Sequence, residues 1–391
     1  MTSSPKILHI ISSWESGAGN ELAEFAARLA PEFACEVCVL SGTTCREIPH
    51  VPITSLGLRW TCDISTYLGV GRILRRLRPD VVHAWDTTAH AYAALHFGSQ
   101  RVIAEKRETE TSCGLLQKYL DRRTHRFVIP RTNNALPSNA IPAAKTVVIP
   151  PAAVPVACAK PIPAEELLEK LGFPSVAPSG DYYPVFQPQY EPARLNYKSV
   201  PPHQTPFLIG VILPLELEHR ILDALWVFET LNYVHLNYHA FIIGDGKDRE
   251  TCLRYRDRWK QFSRVHFLGF RQDAHRLLPH FDALLHLSSS AEHSGAILSA
   301  MSCGVPVVAL ETPESREYIV DGTTGSIIPA EGDFRFYRRT AVKRLLYLLE
   351  NEELRQSMQT AARDRVASEF NFDTAVQRRT EVYRKLCGTM S

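Results

Sequence analysis

FDALLHLSSSAEHSGAILSAMSCGVPVVALETPESREYIVDGTTGSIIP, residues 281–329, is the stretch that decides the fold. Residues 283–287 form a short apolar run, 288–290 a polar loop, and Gly295–Ser302 a small-residue helix stopped by Cys303 and Gly304. Residues 305–310 follow as a β-branched strand of the kind a parallel sheet buries on both faces. A short helix and a hairpin-like turn close the stretch. Strand, loop, helix and strand in this length make a βαβ crossover, whose loop opens at the carboxyl edge of the sheet. Helix N-termini at that edge aim free N–H groups at anions, so chemistry is expected there.

The same residues carry a resemblance. Glu292 and Gly295, then Ala300, Met301, Cys303, Gly304, Val305, Pro306, Val307, Val308 and Ala309, then Glu317, Asp321, Gly322 and Gly325 stand in a specific order. That order resembles the donor-sugar site of retaining GT-B glycosyltransferases of the family-4 type. The resemblance implies an α/β chain of GT-B fold, with two doubly wound Rossmann-like domains facing a central cleft and a C-terminal helix crossing back to the first domain.

Length and composition agree with a two-domain reading. At 391 residues the chain exceeds one ordinary core. Its 45% hydrophobic and 22% charged content is that of a soluble globular protein, and its formal charge of +2 provides no global field to attract nucleic acid. Nine cysteines are scattered, and the C-x-x-C of Cys35 and Cys38 has no second pair to complete a zinc site. Core thiols in a cytoplasmic protein are expected. No apolar run approaches the ~20 residues needed to span a bilayer, so a membrane-surface contact is the most that is expected.

Outward from the deciding stretch, strands and helices alternate. Residues 6–12 read as a strand, followed by a glycine loop with Gly17 and Gly19 that opens an amphipathic helix packing through Leu22, Phe25, Ala26 and Leu29. Strands follow at 35–40, 80–86 and 101–104, with helices at 67–78 and 89–98 and further strands at 127–130 and 146–154. His83 reads as a satisfied strand-end histidine, and Glu105, Lys106, Arg107 and Glu108 as a charged loop. The helix over 67–78 carries Arg72, Arg75, Arg76 and Arg78 beside Leu68, Ile73, Leu74 and Leu77. It is either packed on its apolar side or touches an anionic membrane.

Residues 137–206 hold 15 of the 26 prolines and cannot be regular throughout. Four segments are thus expected: a first domain over 1–155, a proline-rich linker and insertion over 156–205, a second domain over 206–370, and a C-terminal helix over 371–391. The second domain reads as strand 207–213, helix 220–234, a strand ending in the Gly244-Asp245-Gly246 turn, strand 265–270, helix 272–281 and then the deciding stretch.

For activity, the resemblance implies a metal-independent, cofactor-free glycosyltransferase of the hexosyltransferase type. It would move sugar with retention from a nucleotide-diphosphate sugar to a glycan or lipid-linked acceptor, in cell-envelope polysaccharide biosynthesis. Glu292 and Arg107 take the catalytic positions, Arg107 standing where the family has a histidine. Gly17, Gly19, Arg220, Gly244, Glu292, His293, Ser294, Gly295, Ser299 and Glu317 take donor-binding positions. The sequence departs from the family at two places. VILPLELEHR puts Leu213 near an expected arginine and His219 or Arg220 near an expected lysine, and Ser299 replaces the second glutamate of the E-x7-E pair. A serine cannot accept bidentately from a ribose diol. The other reading is a noncatalytic GT-B-fold protein that binds a glycan or protein partner.

Overall fold

The computed structural model describes residues 4–14, 18–41, 47–58, 63–96, 101–105, 120–129, 145–149, 151–153, 167, 169, 171–172, 206–234, 237–259, 264–271, 273–290 and 293–388. Most of the proline-rich segment lies outside them. The chain divides into two compact units, one of residues 1–155, 291–298 and 366–391, the other of residues 156–290 and 299–365.

The first unit is built on seven parallel strands in the order β3-β2-β1-β4-β5-β6-β7. They are β1 Lys6–Ile11, β2 Ala34–Val39, β3 Ile53–Ser55, β4 Val81–Ala84, β5 Arg101–Glu105, β6 Arg126–Ile129 and β7 Thr146–Val148. Helices α1 (Gly19–Leu29), α2 (Ile64–Leu77) and α3 (Thr87–Leu95) connect them, and the final helix, Phe372–Cys387, packs on α1 and β4. Alternate residues of β1 feed two cores: Ile7 and Ile11 join Leu22, Phe25, Trp85 and Tyr383, while Leu8 and Ile10 join Val70, Ile73 and Leu74. Burial on both faces explains the unbroken apolar runs of the sequence. β3 was not foreseen, because three residues without alternation give no periodic signal.

Helix α2 begins earlier than its apolar pattern suggests. The Asp63 carboxylate caps it by accepting from Ser65 N at 2.8 Å. It buries Ile73 and Leu74, leaves Leu68 outward at 53% exposure, and pairs Arg76 with Glu36. Packing therefore accounts for most of its apolar side. Cys35 and Cys38 are buried core thiols, both pushed up to about 12 by burial.

Glu105 departs from the expectation of a solvated charged loop. It ends β5, is buried, and accepts from Arg379 Nη2 of the final helix at 3.0 Å; the same guanidinium nitrogen donates to Glu21 at 2.8 Å. Arg379 also lies 5.4 Å from the ring centroids of both Phe25 and Trp85. His83 stands at a strand end as expected, its Nδ1 2.5 Å from the Tyr383 hydroxyl and its Nε2 3.6 Å from Glu105. These contacts bind the final helix to the carboxyl edge of the first sheet.

The second unit has six parallel strands in the order β10-β9-β8-β11-β12-β13. They are β8 Phe207–Ile212, β9 Tyr238–Ile243, β10 Val265–Gly269, β11 Ala283–His286, β12 Val307–Leu310 and β13 Ser326–Ile328. The expected hairpin-like turn after residue 320 instead leads into β13, which pairs parallel with β12 through Val308 and Ser326. Helices α4 (Ile221–Tyr233), α5 (Arg249–Arg258), α6 (Ala274–Leu277), α7 (Gly295–Ser302), α8 (Pro313–Tyr318), α9 (Phe334–Glu350) and α10 (Glu352–Glu369) complete the chain. The helix expected over 272–281 is the single turn α6 followed by a 3₁₀ turn, Leu278–His280, that contains Pro279. No helix among the described residues is long and apolar enough to cross a membrane.

Candidate functional site

In an open parallel sheet, ligands settle beyond the carboxyl ends of the strands where the strand order reverses. In the second sheet β8 lies between β9 and β11, so that point falls between the loops leaving β8 and β11. The two loops meet there. His219 Nδ1 lies 3.3 Å from the hydroxyl oxygen of Ser288, which in turn accepts from Ser290 N at 3.1 Å. Burial holds the His219 pKa below its ordinary value despite the opposing pull of Glu218 and Glu216. The imidazole is therefore neutral at pH 7 and offers hydrogen bonds rather than charge.

The glycines of the next turn serve the first loop. Gly244 has a φ of +147°, and a Cβ there would stand 1.9 Å from the Leu213 carbonyl oxygen. Leu213 N donates to Ile243 O at 3.1 Å and Leu215 N to Asp245 O at 3.0 Å. Close approach of the chain's own backbone thus requires glycine at 244. Gly19 repeats the pattern in the first unit, where a Cβ would meet Trp14 O at 2.3 Å.

Each cation considered as a partner for a diphosphate is engaged by neighbours. Arg220, itself left-handed at φ +59°, donates to the Tyr337 hydroxyl at 2.7 Å and lies 3.8 Å from Asp223, which also takes Tyr337 and Arg338. Lys247 donates to Glu216 at 2.8 Å and Glu218 at 3.2 Å, and these bonds push its pKa up to about 12. Arg271 grips Asp273 with two bonds of 2.8 Å. Among the described residues, Glu216, Glu218 and His219 stand close enough to share an ion. The Lys247 ammonium supplies positive charge to both of these carboxylates.

Of the other residues singled out from sequence, Gly17, Arg107 and Glu292 lie outside the described residues. His293 is half-buried, Ser294 is buried with its carbonyl accepting from Ile297 N, and Gly295 opens α7. Ser299 is half-buried in the same helix, and its carbonyl accepts from the Ser302 hydroxyl at 2.7 Å. Glu317 is half-buried on α8, where its carbonyl takes Arg365 Nη2 at 2.8 Å. Sequence reasoning missed Ser288 and the Asp223, Tyr337 and Arg338 cluster. Ser288 was recoverable from its place at the end of β11; the cluster joins α4 to α9 across more than a hundred residues and has no local signal.

Comparison with known proteins gives three kinds of likeness. Residues 196–365 match the family model for Glycosyl transferases group 1. The N-acetyl-alpha-D-glucosaminyl L-malate synthase of Bacillus anthracis is 28% identical over 164 residues, a match spanning 42% of this chain and 42% of that protein. Among solved structures, a glycosyltransferase from Rickettsia africae ESF-5 covers 99% of this chain and 100% of its own, at 15% identity and a TM-score of 0.72. HepE of Anabaena, solved in complex with UDP-glucose, covers 97% and 99% at 17% identity and a TM-score of 0.72. At such identities the likeness speaks for the fold, and the fold is that of the GT-B glycosyltransferases.

Proposed function

We propose that the chain is a glycosyltransferase that moves a hexosyl group from a nucleotide-diphosphate sugar to a glycan or lipid-linked acceptor, with retention and without a metal or cofactor. The observation that carries the reading is that the region matching Glycosyl transferases group 1, residues 196–365, folds as a doubly wound sheet whose reversal point is lined by the 213–220 and 287–290 loops. In such a transfer the bond from the sugar's reactive carbon to the diphosphate breaks, and charge grows on the leaving oxygen. The α7 N-terminus would take that charge, with neutral His219 contributing a hydrogen bond. Glu292 would accept from sugar hydroxyls, Arg107 would stand near the reactive carbon, and Ser299 would give the nucleotide ribose one hydrogen bond where two are usual.

A second reading has its own observation. Arg220, Lys247 and Arg271, the cations considered for a diphosphate, are all engaged by neighbours, as suits a noncatalytic protein that binds a glycan or protein. Release of nucleoside diphosphate from a panel of UDP-, GDP- and ADP-sugars, with and without acceptor glycans, separates the two. Acceptor-dependent release supports transfer. Tight glycan binding without release supports the second reading.

A further inference from the structure

The first sheet has a second edge. At its amino end, roughly a strand length of ~15 Å from the carboxyl edge, a cavity of about 400 Å³ opens below the starts of β4, β5, β6 and β7. Its floor is apolar, with Leu74, Val82, Ala93 and Val102. Its wall is basic, with Arg122, Arg123, His125, Arg126 and Lys145, and among the described residues the lining contains no Asp or Glu.

Three of these cations are held by bonds to main-chain carbonyls. Lys145 Nζ donates to the carbonyls of Arg122 at 3.0 Å and Thr124 at 2.8 Å, Arg126 Nη1 to His125 O at 2.9 Å, and Arg123 Nη2 to His96 O at 3.3 Å. Among the described residues, Arg122, Arg126 and Lys145 take part in no ion pair. We propose that this cavity binds an organic phosphate, its anionic group against Arg122, Arg126 and Lys145 and its body on the apolar floor.

The chemistry favours phosphate for two reasons. Guanidinium forks match phosphate oxygens bidentately, and several fixed cations suit a dianion better than a single carboxylate. The volume lies within the range of small-ligand pockets. A local positive field is already felt at His125: burial first, then Lys145, Arg101 and Arg126, hold its pKa below the ordinary value, while its Nδ1 accepts from Val102 N at 3.1 Å. The site is independent of the donor-sugar reading, since it lies at the amino end of the first sheet and uses none of the residues that reading names.

The test is calorimetric titration of the full chain with pyrophosphate and with hexyl phosphate, following the His125 ring proton by NMR. The expected result is saturable binding that moves the His125 signal and weakens about tenfold or more in Arg122→Ala/Arg126→Ala, with Arg122→Lys/Arg126→Lys, which keeps the charge and loses the forks, falling between the two. Sedimentation with phosphatidate vesicles against phosphatidylcholine vesicles identifies the source. Binding to the soluble probes alone assigns a free organic phosphate, and additional capture by phosphatidate vesicles that the double alanine variant loses assigns a lipid headgroup; both sustain the proposal. No saturable binding, or binding that leaves His125 unmoved and is equal in the double variant, overturns it. If the double alanine variant does not fold, the wild-type His125 response decides alone.

Discussion

His219 Nδ1 and Ser288 Oγ stand 3.3 Å apart, joining the loops that leave β8 and β11 where the strand order of the second sheet reverses. Because burial keeps this imidazole neutral, a diphosphate meeting it would find a hydrogen-bond partner and no countercharge. Nucleotide-sugar affinity should then be flat above about pH 6.5, the ordinary histidine pKa. It should change only as pH falls towards the lowered folded value. His219→Gln should keep affinity within a few-fold, and His219→Ala should weaken it by about tenfold. Titrations at several pH values check this, and affinity that falls steadily as pH rises from 6.5 to 8 would mean that a charged His219 does the binding.

Arg379 stands buried between Glu21 and Glu105. Arg379→Met leaves two carboxylates in the core without their cation, which should destabilise the first unit by about 3–5 kcal/mol. Changing all three together to Met, Gln and Gln should recover most of that loss. Denaturant melts of the single and triple variants measure both, and a single variant within about 1 kcal/mol of wild type would show that the final helix is held by its apolar contacts alone.

Gly244 and Gly322 offer a contrast between crowding and strain. A Cβ on Gly244 would overlap the Leu213 carbonyl, whereas Gly322, at φ +77°, has nothing within 4 Å. Gly244→Ala should cost more than about 2 kcal/mol, and Gly322→Ala about 1 kcal/mol from backbone strain alone. Equal costs at the two positions would contradict the close approach seen at Leu213.

Burial raises the Glu229 carboxyl to about 7, with the Tyr255 hydroxyl donating to it at 3.2 Å. The folded chain therefore holds a proton on Glu229 that the unfolded chain releases near pH 4.5, so this group erodes stability as pH rises from 4.5 through 7. Glu229→Gln keeps the acceptor and removes the ionisation. It should stabilise the second unit by on the order of 1–3 kcal/mol at pH 8 and by clearly less at pH 5. Melting curves at the two pH values check the sign; a gain that is larger at pH 5 would refute it.

The strand and helix alternation was legible because both sheets are parallel and buried on two faces, so each strand is an apolar run bounded by glycine or polar residues. α7 fell where the pattern put it. What the sequence hid was pairing over distance. Glu105 looked solvated because its partner, Arg379, lies 274 residues away, and β13 looked like a turn because three residues carry no period. At the site, Gly244 was legible as a turn glycine, while what requires it, the Leu213 carbonyl, needed the fold. The neutral state of His219 and the pairing of Lys247 likewise arise only when distant loops meet.

The central claim is donor use, and calorimetric titration of nucleotide-diphosphate sugars into wild type, Glu292→Ala and Ser299→Glu tests it most directly, with turnover measured alongside. The account predicts saturable binding of at least one nucleotide-sugar. It also predicts tighter binding in Ser299→Glu, where a bidentate acceptor for the ribose is restored, and transfer lowered about tenfold or more in Glu292→Ala at an unchanged melting temperature. Absence of detectable binding by any nucleotide-sugar, in wild type and in Ser299→Glu alike, would contradict it and leave the noncatalytic reading.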